Sequence, residues 1–336
     1  MSPRPPTSAD VAKAAGVSRA TVSYVLNGRA DVRITDTTRQ QVLTAAQKLG
    51  YQPSPAARAL RAGRGAVIIV LVPAWGSGRF ADLLAEVGQL VNRHGLVCLR
   101  HEGAHWEGRL AELLARVTAA VAVTMEPLGP EDAAALERAG VPEVRWWLDD
   151  PRPHDTTVIS QAGIVRLQVE HLLERGYERL AFMALSHPQE QRFQDMRIQA
   201  FKEACRDHGL RSASVAVEEP DLDAVAARLR SWRRRSHRPL GICAWSDVTA
   251  TAVLNAARAV DLEVPNEVGV IGVDDAPIAR LALPALSSIR LNLSQEAALV
   301  ARNVAATLAI DEPEFSATLE SAIVVPRAST MRHHVA

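Results

Sequence analysis

The chain has 336 residues with 38 Lys+Arg and 38 Asp+Glu, so its formal net charge is zero. That length is too great for one ordinary domain and predicts two or three. No run is apolar for long enough to span a bilayer, the start lacks the n-region and h-region of a secretory signal, and Cys98, Cys205 and Cys243 have no metal-ligand spacing, which sets aside membrane, secreted and zinc-module classes. The charge is unevenly spread. Residues 1–65 hold ten Lys+Arg and three Asp+Glu, a net of +7; the remainder holds 28 and 35, a net of −7. A basic head on an acidic body is the pattern of a nucleic-acid contact module joined to a separate domain.

Residues 1–6 are Pro-rich and expected to be disordered. Thr7-Ser8-Ala9-Asp10 reads as a capping-box start to a helix, with Asp10 at its positive end. Val11, Ala14 and Ala15 share a face at the i, i+3, i+4 spacing. Gly16 suits a tight turn, where positive φ is useful. Ser18 is a good N-cap for a second helix that begins at Arg19 and turns Val22, Val25 and Leu26 inward, with Val17 beside them. Two short helices joined in this way read as a helix-turn-helix whose second helix enters the DNA major groove. Thr35 caps a third helix that faces the others with Val42, Ala45, Ala46 and Leu49, ends at Gly50 and leaves Tyr51 to pack back. Ser54 and Pro55 then begin a helix of about two turns that ends at Gly63, too short to be stable alone.

The stretch DVAKAAGVSRATVSYVLNG, residues 10–28, is similar to the signature of the LacI family of bacterial transcription regulators. The resemblance implies DNA contacts from Ser18, Arg19, Ala20, Thr21, Ser23, Tyr24 and Asn27, with Arg19, Ala20 and Tyr24 at the specificity positions. It also makes residues 53–65 a hinge helix. There Ala59 and Leu60 meet the minor groove, and two copies fold together as Leu60 wedges a base step.

From Ala66 the pattern changes to short apolar runs alternating with amphipathic helices. The runs are Ala66–Val72, Leu96–Leu99, Ala119–Met125 and Val141–Trp147, then Arg179–Ala184, Val215–Val217, Leu240–Ala244 and Val268–Val273. This predicts a body of two α/β halves, each a doubly wound parallel sheet, with a ligand site in the cleft beyond the strand C-termini. The family's body resembles periplasmic binding proteins and crosses between its halves three times. The expected division is 1–52 for the helix-turn-helix, 53–65 for the hinge, 66–160 with 290–320 for the first half, and 161–289 with 321–336 for the second.

Candidate effector contacts sit at strand and helix ends: Asp149, Arg197, Asp247 and Asp274 for hydroxyls and polar edges, with Trp75, Phe80, Trp147, Phe193 and Trp245 as apolar walls, a role that core packing contests for each aromatic. Helix capping is as good a reading of Asp247. The chain departs from the family pattern at Ser246, at Gln161 and in the stretch Ala74–Gly78. Gly76-Ser77-Gly78 lacks the third glycine of a dinucleotide fingerprint, and Arg228–Arg238 reads as a solvated helix face. No catalytic or metal constellation stands out, so neither enzyme chemistry nor a cofactor is expected.

The expected function is a cytoplasmic, nucleoid-associated repressor. It binds a near-palindromic operator as a homodimer and answers to a small polar, sugar-like metabolite. The helix Phe80–Asn92, with Leu83, Leu84, Val87 and Val91, is a candidate dimer surface, with packing into the core as the competing reading. A solute-binding or sugar-metabolising protein with the same body is the alternative, and it gives residues 1–65 no role.

Overall fold

A computed structural model describes residues 6–26, 32–51, 65–73, 78–103, 108–147, 160–187, 191–210, 214–310 and 322–332. Asn27, Ala59, Leu60, Trp75 and Asp149 lie outside them, as does the side chain of Phe80. The chain forms two compact units, Met1–Ala66 and Val67–Ala336.

The first unit is helical. Helix α1 (Ser8–Ala15) starts with a reciprocal capping box: the Thr7 side chain accepts from the Asp10 N–H, and Asp10 accepts from the Thr7 N–H at 2.8 Å. It stops at Gly16, whose φ of 66° is open to glycine at little cost. Helix α2 (Arg19–Leu26) starts on Ser18, whose Oγ accepts from the Thr21 N–H at 3.0 Å. Helix α3 (Asp36–Leu49) runs from a Thr35 cap to a left-handed Gly50. Their core is Val11, Ala12, Val22, Val25, Val42, Ala45 and Ala46, with Tyr51 packed against it. Two expectations are corrected. Ala12, rather than the exposed Ala14, is the buried alanine of α1, because α3 approaches a face rotated from the predicted one. Leu49 is 39% exposed, because it lies in the last turn of α3, past the crossing with the other helices.

The second unit carries two sheets. The first runs in the order β2 (Val97–Gly103), β1 (Val67–Pro73), β3 (Ala119–Thr124), β4 (Glu143–Arg145), with every pairing parallel. Helices α4 (Gly78–Asn92), α5 (Leu110–Arg116) and α6 (Pro130–Ala139) alternate with its strands. Asp132 joins the last two by accepting from the Leu110 N–H at 3.1 Å. The second sheet collects β5 (Arg179–Leu185), β6 (Ser214–Glu218), β7 (Leu240–Ala244), β8 (Val268–Val273), β9 (Ser287–Leu291) and β10 (Ala322–Val325), in the order β10-β9-β8-β7-β5-β6. Only β10 runs antiparallel, against β9. Its helices are α7 (Gln161–Glu174), α8 (Gln191–Asp207), α9 (Leu222–Arg235), α10 (Asp247–Ala259) and the short α11 (Pro277–Leu281). The central strands β5, β7 and β8 are apolar almost throughout, as strands covered on both faces must be.

After β9 the chain leaves the second sheet, and α12 (Leu293–Thr307) packs on α4 and on the first sheet's core. This contact corrects the reading of α4. Leu83, Leu84, Val87 and Val91 are all buried within this chain, against Val300 and Val304 among others, so they are core and present nothing to a partner.

The C-terminal segment docks on the second sheet through hydroxyl groups. The Ser329 N–H donates to Ala285, its Oγ donates to the Val270 carbonyl at 2.6 Å, and Thr330 Oγ1 lies 2.8 Å from His171 Nε2. Burial, reinforced by Arg175, lowers the His171 pKa to about 4. The unfolded chain then takes up a proton near pH 6.5 that the folded chain refuses. This contribution is whole above pH 6.5 and is lost as pH falls towards 4. The stability advantage of the wild type over His171→Gln should therefore shrink by about 2 kcal/mol between pH 7 and pH 5, read by chemical unfolding.

Candidate functional site

Two sets of side chains stand apart from the packing core. The first is on the helical unit. Because Val22 and Val25 are held in the core, α2 turns the opposite face outward, and Arg19 and Ala20 are exposed there. Thr21, Ser23 and Tyr24 are half-buried. Ser18 and Thr21 hydroxyls lie 2.9 Å apart, so part of their hydrogen-bonding capacity serves the helix start. An exposed arginine beside an exposed methyl matches what base edges in a major groove can use: guanine acceptors and a thymine methyl.

The second set lies at the C-terminal ends of the strands of both sheets. Trp245 follows β7 and packs against two apolar clusters, one built on the first sheet and one on the second. Phe193 and Met196 of α8 also meet the first-sheet cluster, which contains Met125 and Trp146. The strand ends of the two halves therefore face each other across these aromatics.

Arg197 lies one turn beyond Phe193 and is only 7% exposed. Its Nε donates to Gln161 Oε1 at 2.8 Å and its Nη1 donates to the Trp245 carbonyl at 2.7 Å. The guanidinium carbon sits 4.1 Å from the centroid of the Trp245 ring. A planar cation stacked on an aromatic face and held by two acceptors is rigidly aimed. Gln161 is the first residue of α7, so the departure noted there supplies the acceptor that orients Arg197.

Asp274 follows β8, half-buried, with a φ of 106° that a non-glycine residue adopts only under constraint. Its N–H donates to Ile289 at 2.8 Å. Asp275 beside it is buried and bonded to Arg327 at 2.5 Å and to Arg290 Nη2 at 2.7 Å. Burial alone pushes its carboxyl up, but the bonds from Arg327 and Arg290 outweigh that and hold it below the usual range. Asp247 is 1% exposed, and both carboxylate oxygens are committed: Oδ2 to the Ala276 N–H at 2.7 Å, Oδ1 to the Ser288 hydroxyl at 2.6 Å. Helix α10 takes its N-cap from Ser246.

The structure thus brings Phe193, Arg197, Trp245, Asp247 and Asp274 to the strand ends of the second half. Sequence reasoning missed Ser288, Arg290 and Arg327, whose partners lie 13 to 52 residues away and leave no local signal. It also missed Glu296, a fully buried carboxylate on α12 that accepts from the Trp146 indole N–H. Trp147 is half-buried beneath Arg145 and donates to Thr124 Oγ1 at 3.1 Å. The arginine-rich helix face is partly paired, with Arg228 bonded to Glu218 at 2.6 Å and Arg233 to Glu267.

Gln161→Met should leave the buried Arg197 Nε–H without its acceptor and cost about 1–3 kcal/mol in urea unfolding. An unchanged midpoint and slope would contradict the role given to that bond.

Comparison with known proteins places these features in company. Residues 7–54 match the description "Bacterial regulatory proteins, lacI family", and residues 169–330 match "Periplasmic binding protein-like domain". The HTH-type transcriptional regulator CelR of Thermobifida fusca is 31% identical over 330 residues, covering 91% of each chain. The HTH-type transcriptional repressor CytR of Escherichia coli K12 is 26% identical over 308 residues, covering 88% of each. Among solved structures, a CelR–cellobiose complex aligns with a TM-score of 0.63 at 25% identity, over 96% of this chain and 99% of that one. A Lac repressor dimer bound to operator and the anti-inducer ONPF aligns with a TM-score of 0.76 at 21% identity, over 98% and 100%.

Proposed function

The chain belongs to the LacI family of bacterial regulatory proteins, and from that premise we propose that it is a repressor acting in the bacterial cytoplasm, on the nucleoid, whose affinity for a near-palindromic operator is set by a sugar-like metabolite held at Arg197 and Asp274. DNA-binding transcriptional regulation under effector control is the family's function. The observation that carries the reading for this chain is the joining of two parts. An exposed Arg19–Ala20 face sits on a capped helix-turn-helix, and the same chain carries a body in which the stacked, preoriented guanidinium of Arg197 lies where two α/β halves meet. The related CelR is solved with cellobiose, which supports a sugar as the effector class here.

On this reading Arg19, Ala20 and Tyr24 set base preference, while Thr21, Ser23 and Asn27 contact phosphates or cap structure, and Ser18 meets the DNA from its cap position. Residues 53–65 form the hinge, with Ala59 and Leu60 in the minor groove. Trp75, Phe80 and Asp149 complete the effector site from the first half, which residues 66–160 form together with the return segment that follows β9, two residues later than the expected start at 290. A two-fold operator needs a two-fold protein. With the α4 face buried in the core, the dimer surface is assigned instead to the exposed apolar residues Leu281 (79% exposed) and Leu283 (82%), with Ile278 and Val248 beside them.

Three results test this. Operator sites selected from genomic fragments by Arg19→Ala should lose preference at one base position, equivalent to about 1–3 kcal/mol; an unchanged profile would refute the assignment. Arg197→Ala should bind operator but ignore the effector. The double substitution Leu281→Asp, Leu283→Asp should sediment as a monomer and lose operator affinity, whereas an intact dimer would move the interface elsewhere.

A further inference from the structure

We propose that Asp247 is a proton-responsive positioning residue: its buried carboxyl clamps the loop that carries Asp274, and loss of its proton loosens that clamp. The geometry is unusual for a carboxylate. Asp247 is 1% exposed, and its only hydrogen-bond partners among the described residues are two neutral donors, the Ala276 N–H and the Ser288 hydroxyl. The charged groups around it come from every side of that junction. Asp274 and Asp275 stand on the loop after β8, and both act on it as like charges. Arg290 of β9 and Arg327 of the C-terminal segment are spent on Asp275. An anion in this position has neighbouring anions, no cation of its own among the described residues, and little water.

Burial, opposed by the Ser288 and Ala276 hydrogen bonds and aided by Asp274 and Asp275, raises its pKa to about 7. The protonated form fits the same partners. Ala276 can only donate, so it keeps Oδ2. The proton then sits on Oδ1 and reverses the bond with Ser288: Oδ1–H donates to Ser288 Oγ, which also accepts from the Asp275 N–H at 3.0 Å, and the Ser288 O–H rotates away from Asp247. Ser288 thus ties the clamp to Asp275 in both states, and the proton decides whether the clamp carries an uncompensated charge.

There is no slack for the carboxyl to withdraw into the sheet. A Cβ at Gly272 would lie 2.2 Å from Asp247 Oδ1, so strand β8 already abuts it through a bare glycine. The relief open to the ionised group is outward opening of residues 274–276, where Asp274 and Asp275 hold positive φ. The consequence for an effector rests on the proposed role of Asp274, but the titration of Asp247 does not.

The linkage has a definite sign. A carboxyl whose pKa is raised in the folded state contributes stability that is whole below about pH 4 and is lost as pH rises through about 7. His171 acts in the opposite sense, so the difference between variants is the quantity to read. In the full-length protein, the melting temperature of Asp247→Asn minus that of wild type should rise by about 4 °C between pH 5 and pH 8. Ser288→Ala keeps the carboxyl but removes a donor to its charged form, so the same rise relative to Asp247→Asn should move to higher pH. Amide exchange in segment 274–281, corrected for intrinsic rates, should quicken in wild type above pH 7 and stay flat in Asp247→Asn. A melting difference that is constant with pH, or exchange that changes in parallel in both proteins, would overturn the proposal. Persistence of these effects in a protein that answers to no metabolite would keep the clamp and reject the effector site instead.

Discussion

One contact ties together the parts of the body that form the site, the guanidinium of Arg197 stacked on Trp245. Three segments distant in sequence meet there: the first residue of α7 at Gln161, the second turn of α8 at Arg197 and the end of β7 at Trp245. A buried arginine with its Nε–H and Nη1–H satisfied and its face covered cannot swing into solvent without leaving Gln161 and the Trp245 carbonyl unpaired. Trp245 passes that constraint on, because it also touches the apolar cluster built on the first sheet. The charged group best suited to grip a polar ligand is therefore fixed to the same ring that joins the two halves.

That coupling gives the fold a physical route for regulation. A ligand that binds one arrangement of the halves more tightly than another shifts their equilibrium by its differential affinity and by nothing more. The path towards the first half is short. Glu296 on α12 bonds Trp146 at the end of β4, tying the return from the second sheet to the strand that leads out of the first. Both partners are fully buried, so this bond has no water to replace it. Packed interfaces of this kind change by discrete shifts rather than by gradual deformation.

Much of the helical unit was legible in the sequence because its determinants are local. Thr7 with Asp10, Gly16, Ser18, Thr35 and Gly50 each act within four residues, and the structure places each cap and turn where the residue type predicts. The positions of β1 to β8 were legible for a related reason, since strands covered on both faces read as apolar runs, whereas β9, with sequence SSIRL, gave no such signal. What failed were particular statements about which surface meets which. The stripe of α4 has the spacing of an interface, but the helix that covers it begins some 200 residues later at Leu293. Ala14 and Ala12 differ only in how α3 approaches, which the period of a helix does not encode. Asp247 shows the same limit at the site. As a residue type at a helix start it suits a cap or a ligand contact equally well. Its commitment to Ala276 and Ser288 appears only when β8 and β9 are placed beside it.

The central claim is that a ligand at the Arg197 site and an operator on α2 are thermodynamically coupled. The most direct measurement is the closed cycle on the full-length protein. Operator affinity is measured with and without saturating sugar, and sugar affinity with and without saturating operator, across a panel that includes cellobiose. The account predicts that one member changes operator affinity by a factor of about 5–150 and that operator changes the affinity for that sugar by the same factor. A sugar that binds the body tightly yet leaves operator affinity unchanged would contradict it.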